Sequence, residues 1–132
     1  MKQNLRVVQV LWHEPMSKQS SVEFEGGLGE RVVAFSDGFQ FESGENVELL
    51  PFGGLEYPDS FEAIFSGNPE HLMKMERVAE WDYRCYGIIV EIERRDVIVD
   101  CGGILVVVPE LTSDVSSLGQ AIFFNVERLE VR

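Results

Sequence analysis

The sequence predicts a mainly β protein built from one or two small OB-like barrels, with one short α-helix between its two halves. Short runs of branched and aromatic residues alternate with glycine-containing turns, a pattern typical of sandwiches and small barrels. Only one segment repeats apolar residues at helical spacing. The stretch 86–110, YGIIVEIERRDVIVDCGGILVVVPE, holds three apolar runs separated by a charged tip and a double glycine. It is expected to supply much of the core.

Residues 1–66 are expected to form an N-terminal β subdomain. The expected strands are 5–12 (LRVVQVLW), 21–25 (SVEFE), 31–36 (RVVAFS), 39–42 (FQFE) and 46–52 (NVELLPF). They are rich in Val and Phe or alternate polar with apolar residues. The segment 26–29 (GGLG) is expected to be a turn or bulge, and Asp37-Gly38 is a tight-turn signal.

Residues 67–82 are expected to form the helix and its connection. Asn68 suits the N-cap because its side chain can accept a hydrogen bond from an N–H of the first turn. Pro69 suits the first helical position, where its missing N–H would have had no partner. Apolar residues then recur at helical spacing and predict one buried face: Leu72, Met75, Val78 and Ala79. The helix is expected to end near Trp81.

Residues 83–132 are expected to form the second subdomain, in one compact unit with the first. The predicted strands are 83–93, 97–101, 104–108 and a last strand or bent pair within 119–132, with a hairpin tip at 93–96 (ERRD). Gly87 is expected at a bend of the long strand, where a side chain would clash. This order of elements resembles an OB-fold over residues 83–131, and the resemblance implies a small barrel.

The apolar faces of these strands lead to two expectations. The alternation places Ile88, Val90 and Ile92 together, facing the barrel interior. The remaining apolar residues are then covered by the helix and the N-terminal strands, or by a second copy of the chain: Ile89, Ile98, Leu105 and Val107. A homo-oligomer therefore stays an open alternative.

The two halves also echo each other. FEGG at 24–27 corresponds to VDCGG at 99–103, and GENV at 44–47 corresponds to GQAI at 119–122. One hypothesis is an internal duplication. The other is chance, because glycine before a strand is common in β proteins.

The charge balance is 11 basic against 23 acidic residues, a formal net charge of −12. Phosphate backbones are held by Lys and Arg, so this balance argues against nucleic acid and against anionic lipid. It favours a basic protein partner. The carboxylates concentrate in the first half and predict an acidic binding face: Glu23, Glu25, Glu30, Glu42, Glu45 and Glu48. The alternative is a charged coat that provides solubility.

The leading functional hypothesis is therefore a non-catalytic, acidic protein-binding module, which resembles bacterial immunity or inhibitor proteins in size and charge. The second hypothesis is an OB-type binder of single-stranded nucleic acid or a small ligand. Its site would combine aromatic stacking with basic residues: Phe39, Phe41, Arg94 and Arg95. A third hypothesis is an enzyme with scattered site residues, but no catalytic motif is present.

The remaining candidate residues favour structural roles. His13 and His71 lie outside any nucleophile motif, and no phosphate-loop context follows the glycines at 26–29. Cys85 and Cys101 have no metal-ligand spacing, so we expect reduced thiols that are not directly opposed, without metal or cofactor. Neither a signal sequence nor an apolar run long enough for a membrane span is visible, which predicts a cytoplasmic protein.

Overall fold

A computed structural model describes residues 1–14, 16–54 and 59–132. In these residues the chain is mainly β, with two antiparallel sheets, one of which is curled into a half-barrel. The strands are β1 (Gln3–Trp12), β2 (Gln19–Glu25), β3 (Arg31–Asp37), β4 (Asn46–Leu49), β5 (Lys74–Arg77), β6 (Tyr83–Glu93), β7 (Asp96–Asp100), β8 (Leu105–Val108) and β9 (Ala121–Val126). Helix α1 is Phe61–Ser66, and a 3₁₀ turn covers Val115–Ser117.

The first sheet has the strand order β3-β2-β1-β4. The alternation along β2 follows the pleat, because Val22 and Phe24 are fully buried while Glu23 and Glu25 lie on the opposite, half-buried face. The segment 26–29 is a turn, as predicted, and Gly29 has φ of +85°. A bulge interrupts β1 between Val7 and Gln9 and shifts the register with β2.

The second sheet is organised around the long strand β6, whose bounds agree with the prediction. Its first half pairs with β5 and β9, and its second half pairs with β7, which in turn pairs with β8. Gly87 lies between the two halves. A Cβ atom at this position would lie 2.5 Å from the Asp100 carbonyl oxygen and 2.6 Å from Cγ1 of Val99, so a side chain cannot be accommodated there. The prediction of a required glycine in β6 is confirmed.

The expectation that Ile88, Val90 and Ile92 share the interior face was wrong. The buried residues of the first part of β6 are Tyr83, Cys85, Gly87 and Ile89. A bulge between Ile89 and Glu91 then changes the alternation. Val90 is 38 % exposed as a result, and Ile92 packs against the core instead.

A narrow hydrogen-bonded joint connects the two sheets. The C-terminal segment lies beside β3, where Phe35 N–H donates to Leu129 O at 2.7 Å and Val131 N–H donates to Phe35 O at 2.9 Å. On its other side, Gly53 and Glu130 exchange two bonds of 3.0 and 2.9 Å. Phe52 then bonds to β8. The core lies between the sheets and takes residues from both.

The predicted helix at 68–81 was wrong. Residues 74–77 of that segment form β5, and the only α-helix among the described residues is α1, six residues long. Its N-cap is Ser60, whose side chain accepts a hydrogen bond from Ala63 N–H at 3.2 Å. A single short turn of helix shows too little periodicity to be recognised from sequence.

Asn68 is not an N-cap but a buried hydrogen-bonding residue. Its side-chain oxygen accepts from Leu72 N–H at 2.8 Å, and its amide nitrogen donates to the carbonyls of Leu72 and Ile122 at 3.0 and 3.2 Å. It is only 3 % exposed. Asn68 therefore closes the turn before β5 and fastens it to β9.

The predicted strand at 39–42 was also wrong, because these residues form an irregular loop. Phe41 packs its ring edge against Phe24 of the core at a centroid distance of 5.5 Å. Phe39 stacks on Phe41 at 5.7 Å. The loop thus crosses the end of the first sheet and covers part of its core-facing side.

We expect Asn68→Ala to destabilise the protein by about 2 kcal/mol or more, because three hydrogen bonds are lost and buried backbone groups are left without partners. Ser60→Ala provides the control and should cost about 1 kcal/mol, the usual value for an N-cap. Urea unfolding measures both changes. A smaller loss for Asn68→Ala than for Ser60→Ala would contradict the role given to Asn68.

We expect Gly87→Ala to destabilise by about 2 kcal/mol, since the methyl group overlaps a backbone carbonyl. Gly27→Ala is the matched control, because nothing lies within 4 Å of the added atom. It should leave the urea midpoint unchanged or slightly raised. Equal midpoints for the two variants would show that β6 can move away from Asp100.

Candidate binding surfaces

The six carboxylates predicted to form an acidic face are distributed over the first sheet and its turns. Glu25 lies between two arginines, with Oε1 at 3.2 Å from Arg6 and Oε2 at 3.0 Å from Arg31. Hydrogen bonds from Arg31 and then from Arg6 lower the pKa of Glu25. Glu48 lies 3.6 Å from Lys2. The charges of Glu25 and Glu48 are therefore compensated locally.

Glu42 and Glu45 occupy the turn between the irregular loop and β4. The Glu45 carboxylate accepts a hydrogen bond from Glu42 N–H at 2.8 Å. This turn is fastened to β1, because Gly44 N–H donates to Val7 O and Ser43 Oγ donates to Val8 O, both at 2.7 Å. Among the described residues, no cation lies within ion-pair distance of Glu42 or Glu45, nor of Glu23 or Glu30.

The structure does not bring together the residues of the alternative ligand site. Phe39 is 37 % exposed and Phe41 packs on the core, both near the far end of β1. Arg94 and Arg95 form the β6–β7 hairpin tip, next to Glu93, which lies 3.8 Å from the amino terminus. Arg95 is also paired with Glu110 at 3.3 Å.

A hollow of about 510 Å³ lies at the far end of β1. Its walls are Trp12, Glu14, Met16, Ser17, Lys18 and Gln40. Trp12 is 43 % exposed and Met16 is 94 % exposed, so two large apolar side chains are accessible to a partner at this end. The sequence pattern did not single it out, although a Trp at a strand end beside a Pro-containing loop was a signal.

A second cluster, which sequence reasoning also missed, surrounds Ser21 on the outer face of the first sheet. Ser21 Oγ donates to Glu80 at 2.8 Å and accepts from Trp81 Nε1 at 3.0 Å, and His13 Nε2 lies 3.0 Å away. The serine proton is directed to Glu80, and His13 bonds to the serine without an orienting carboxylate. This arrangement differs from a nucleophilic triad, in which the histidine lies between the serine and the acid. It fastens the turn before β6 to β2.

The cysteines are not directly opposed, as expected, because Cys85 pairs with Met75 and Phe124 in the sheet. Their thiols nevertheless lie within hydrogen-bond distance of each other in the core. Cys85 and Cys101 are both fully buried and free. A hydrogen bond with the Cys85 thiol, together with burial, raises the pKa of Cys101 well above its ordinary value. The neutral thiol is the poorly reactive form, so both residues act as small apolar core groups.

Within the described residues, no group of three or more His, Cys, Asp or Glu side chains is arranged to hold a metal ion. Their helices include none with the length and apolar character needed to cross a membrane.

Comparison of the chain with models of protein families, with curated proteins and with solved structures finds no match. The proposals about function therefore depend on the surfaces described above.

We expect both thiols to be unreactive toward a thiol reagent such as DTNB at pH 8 in the folded protein, because they are buried and Cys101 stays protonated. In denaturant without reductant, both thiols should react. The colour yield before and after unfolding measures this. If no thiol reacts after unfolding, the cysteines are oxidised and the assignment is wrong.

Proposed function

We propose that this chain is a non-catalytic, acidic protein-binding module whose partner is a basic protein, of the kind represented by immunity or inhibitor proteins. Two features of the first sheet carry the proposal: exposed apolar side chains at the end of β1, and carboxylates without an ion-pair partner among the described residues in the turn bonded to the middle of that strand. Glu42 and Glu45 lie in the turn fastened to β1, and Trp12 and Met16 lie at the end of the same strand.

Protein interfaces commonly combine these two features. Exposed Trp and Met side chains supply apolar contact area at the centre, and charged residues at the rim steer the partner and set its orientation. With a net charge of −12, the long-range field of the chain attracts cations from all directions. The exposed apolar side chains at the end of β1 can then pack against the partner and stabilise the complex.

The Ser21 cluster supports a binding role over a catalytic one. Ser21 is 6 % exposed, and its hydroxyl bonds to three side chains that join separate segments. A hydroxyl engaged in this way is poorly placed to attack a substrate. Its strongest contribution is to hold Glu80 and Trp81 against the sheet.

We also propose that the fold contains an OB-like barrel and that its two halves are related. We assign the second sheet to an OB-like barrel because β6 is long, has no room for a side chain at Gly87 and pairs with the last strand, β9. The hypothesis of two related halves has support at one point. The strand order β3-β2-β1-β4 of the first sheet corresponds to the order β8-β7-β6-β9 in the second.

The electrostatic part of the proposal predicts that Glu42→Gln combined with Glu45→Gln slows association with a basic protein captured from native lysate. Glutamine at 45 keeps an oxygen that can accept from the backbone N–H of residue 42, so the turn is preserved. The association rate constant at low salt should fall several-fold, and the difference should shrink at high salt. Stopped-flow fluorescence measures both.

The matched control is Glu62→Gln combined with Glu70→Gln, which removes the same charge near α1. Equal slowing in the two double variants would mean that only net charge matters and would contradict a defined docking end. Salt-sensitive binding of a labelled single-stranded oligonucleotide that is lost in Arg94→Ala with Arg95→Ala would instead favour the OB-type alternative.

A further inference from the structure

Among the described residues, no strand pairs with one edge of β1 at the end that carries Trp12. On one edge, β1 pairs with β2 as far as Trp12. On the other edge, pairing with β4 covers only Gln3–Arg6. The following turn adds bonds to Val7 and Val8, and beyond these no strand of the described residues lies on that side.

The direction of the backbone groups at this edge follows from the register. His13 N–H donates to Gln19 O across to β2, at 3.1 Å. In an antiparallel pair, alternate residues point their N–H and C=O groups to opposite edges. The backbone N–H and C=O groups of Leu11 therefore point toward β2. Those of Val10 and Trp12 point away from β2, toward the open side. Such an edge is a template for another extended chain.

The hollow beside this edge provides the place for a side chain. Trp12 and Gln40 line it together, and Phe39 precedes Gln40 and is partly exposed. A chain that pairs with Val10 and Trp12 projects every second side chain toward the face on which Trp12 lies. One apolar side chain of the added chain can then enter the hollow next to the indole.

The negative charge of this end indicates which kind of chain can bind at the open edge of β1. Glu14 lines the hollow, Asp37 ends β3 on the same side of the sheet, and the turn with Glu42 and Glu45 follows farther along β1. Lys18 is the cation among the described lining residues, and the whole chain carries −12. A second copy of this chain would bring the same negative field and be repelled. We propose that an extended, basic segment of a partner protein adds a strand to β1 at Val10 and Trp12, with one apolar side chain in the Trp12 hollow. The inference rests on the proposed function and specifies how the partner binds.

Hydrogen exchange followed by NMR tests the proposal. The probe is an end-blocked ten-residue peptide of alternating lysine and valine, and the control peptide alternates glutamate and valine. The amides of Val10 and Trp12 should exchange quickly in the free protein and be protected by the lysine peptide. The amide of Leu11, already bonded to β2, should change little. The glutamate peptide should protect none of them.

Side-chain variants test whether the hollow beside Trp12 contributes to binding of the lysine peptide. Trp12→Ala should weaken binding of the lysine peptide by about ten-fold, as expected for a central aromatic contact. Val115→Ala is the control, because Val115 is also exposed, at 72 %, but lies in the distant 3₁₀ turn. It should leave the affinity unchanged. Equal losses in the two variants would overturn the assignment of the hollow.

Three results separate failure of this inference from failure of the proposed function. If a captured basic protein binds but leaves the amides of Val10 and Trp12 unprotected, strand addition is wrong and the protein-binding function stands. If these amides are protected in the free protein at high concentration only, a second copy occupies the edge and the inference is overturned. If neither a basic protein nor the lysine peptide binds, both are rejected.

Discussion

The hydrogen-bonded joint between the two sheets determines how the rest of the structure is arranged. Residues 129–131 lie between Phe35 and Gly53, and Phe52 continues the bonding to β8. These few backbone bonds join the C-terminal segment to residues far away in the sequence, so they close long loops and carry a larger entropic cost than local contacts do. The Gln3 side chain closes a second connection, because it accepts from Leu105 N–H at 2.8 Å and donates to the carbonyl of Leu105 at 3.2 Å.

This joint explains why one end of the first sheet stays open. Gln3 ties the beginning of β1 to the second sheet, and β4 pairs with the same part of β1. The strand is ten residues long and extends past these partners. Its last residues have β2 on one edge, and the irregular loop covers part of the core-facing side through Phe41. The exposed Trp12 and the free edge therefore result from the same geometry.

Sequence reasoning was most reliable where structure depends on neighbours in the chain. The alternation in β2 and the glycine at 87 could be read locally, and the bounds of β6 agree. It failed where the local conformation depends on a residue that is far away in the sequence. Asn68 and Pro69 suit a helix start, but Asn68 finds its acceptor in Ile122, 54 residues away. The Trp12 hollow depends on how the loop at Phe39 folds under the sheet, which no local pattern specifies.

The core-facing side of the Trp12 end departs from ordinary packing. Ser20 pairs with Trp12 and Ser36 across the sheet, and the hydroxyls of Ser20 and Ser36 are buried without a hydrogen-bond partner among the described residues. A buried hydroxyl without a partner costs about 1–3 kcal/mol, and an apolar residue at either position would avoid this cost. Folded proteins tend to accept such costs where function requires them. The two buried hydroxyls therefore lie at the same end of the first sheet as the open strand edge and the exposed Trp12, and this coincidence distinguishes that end from the rest of an acidic surface.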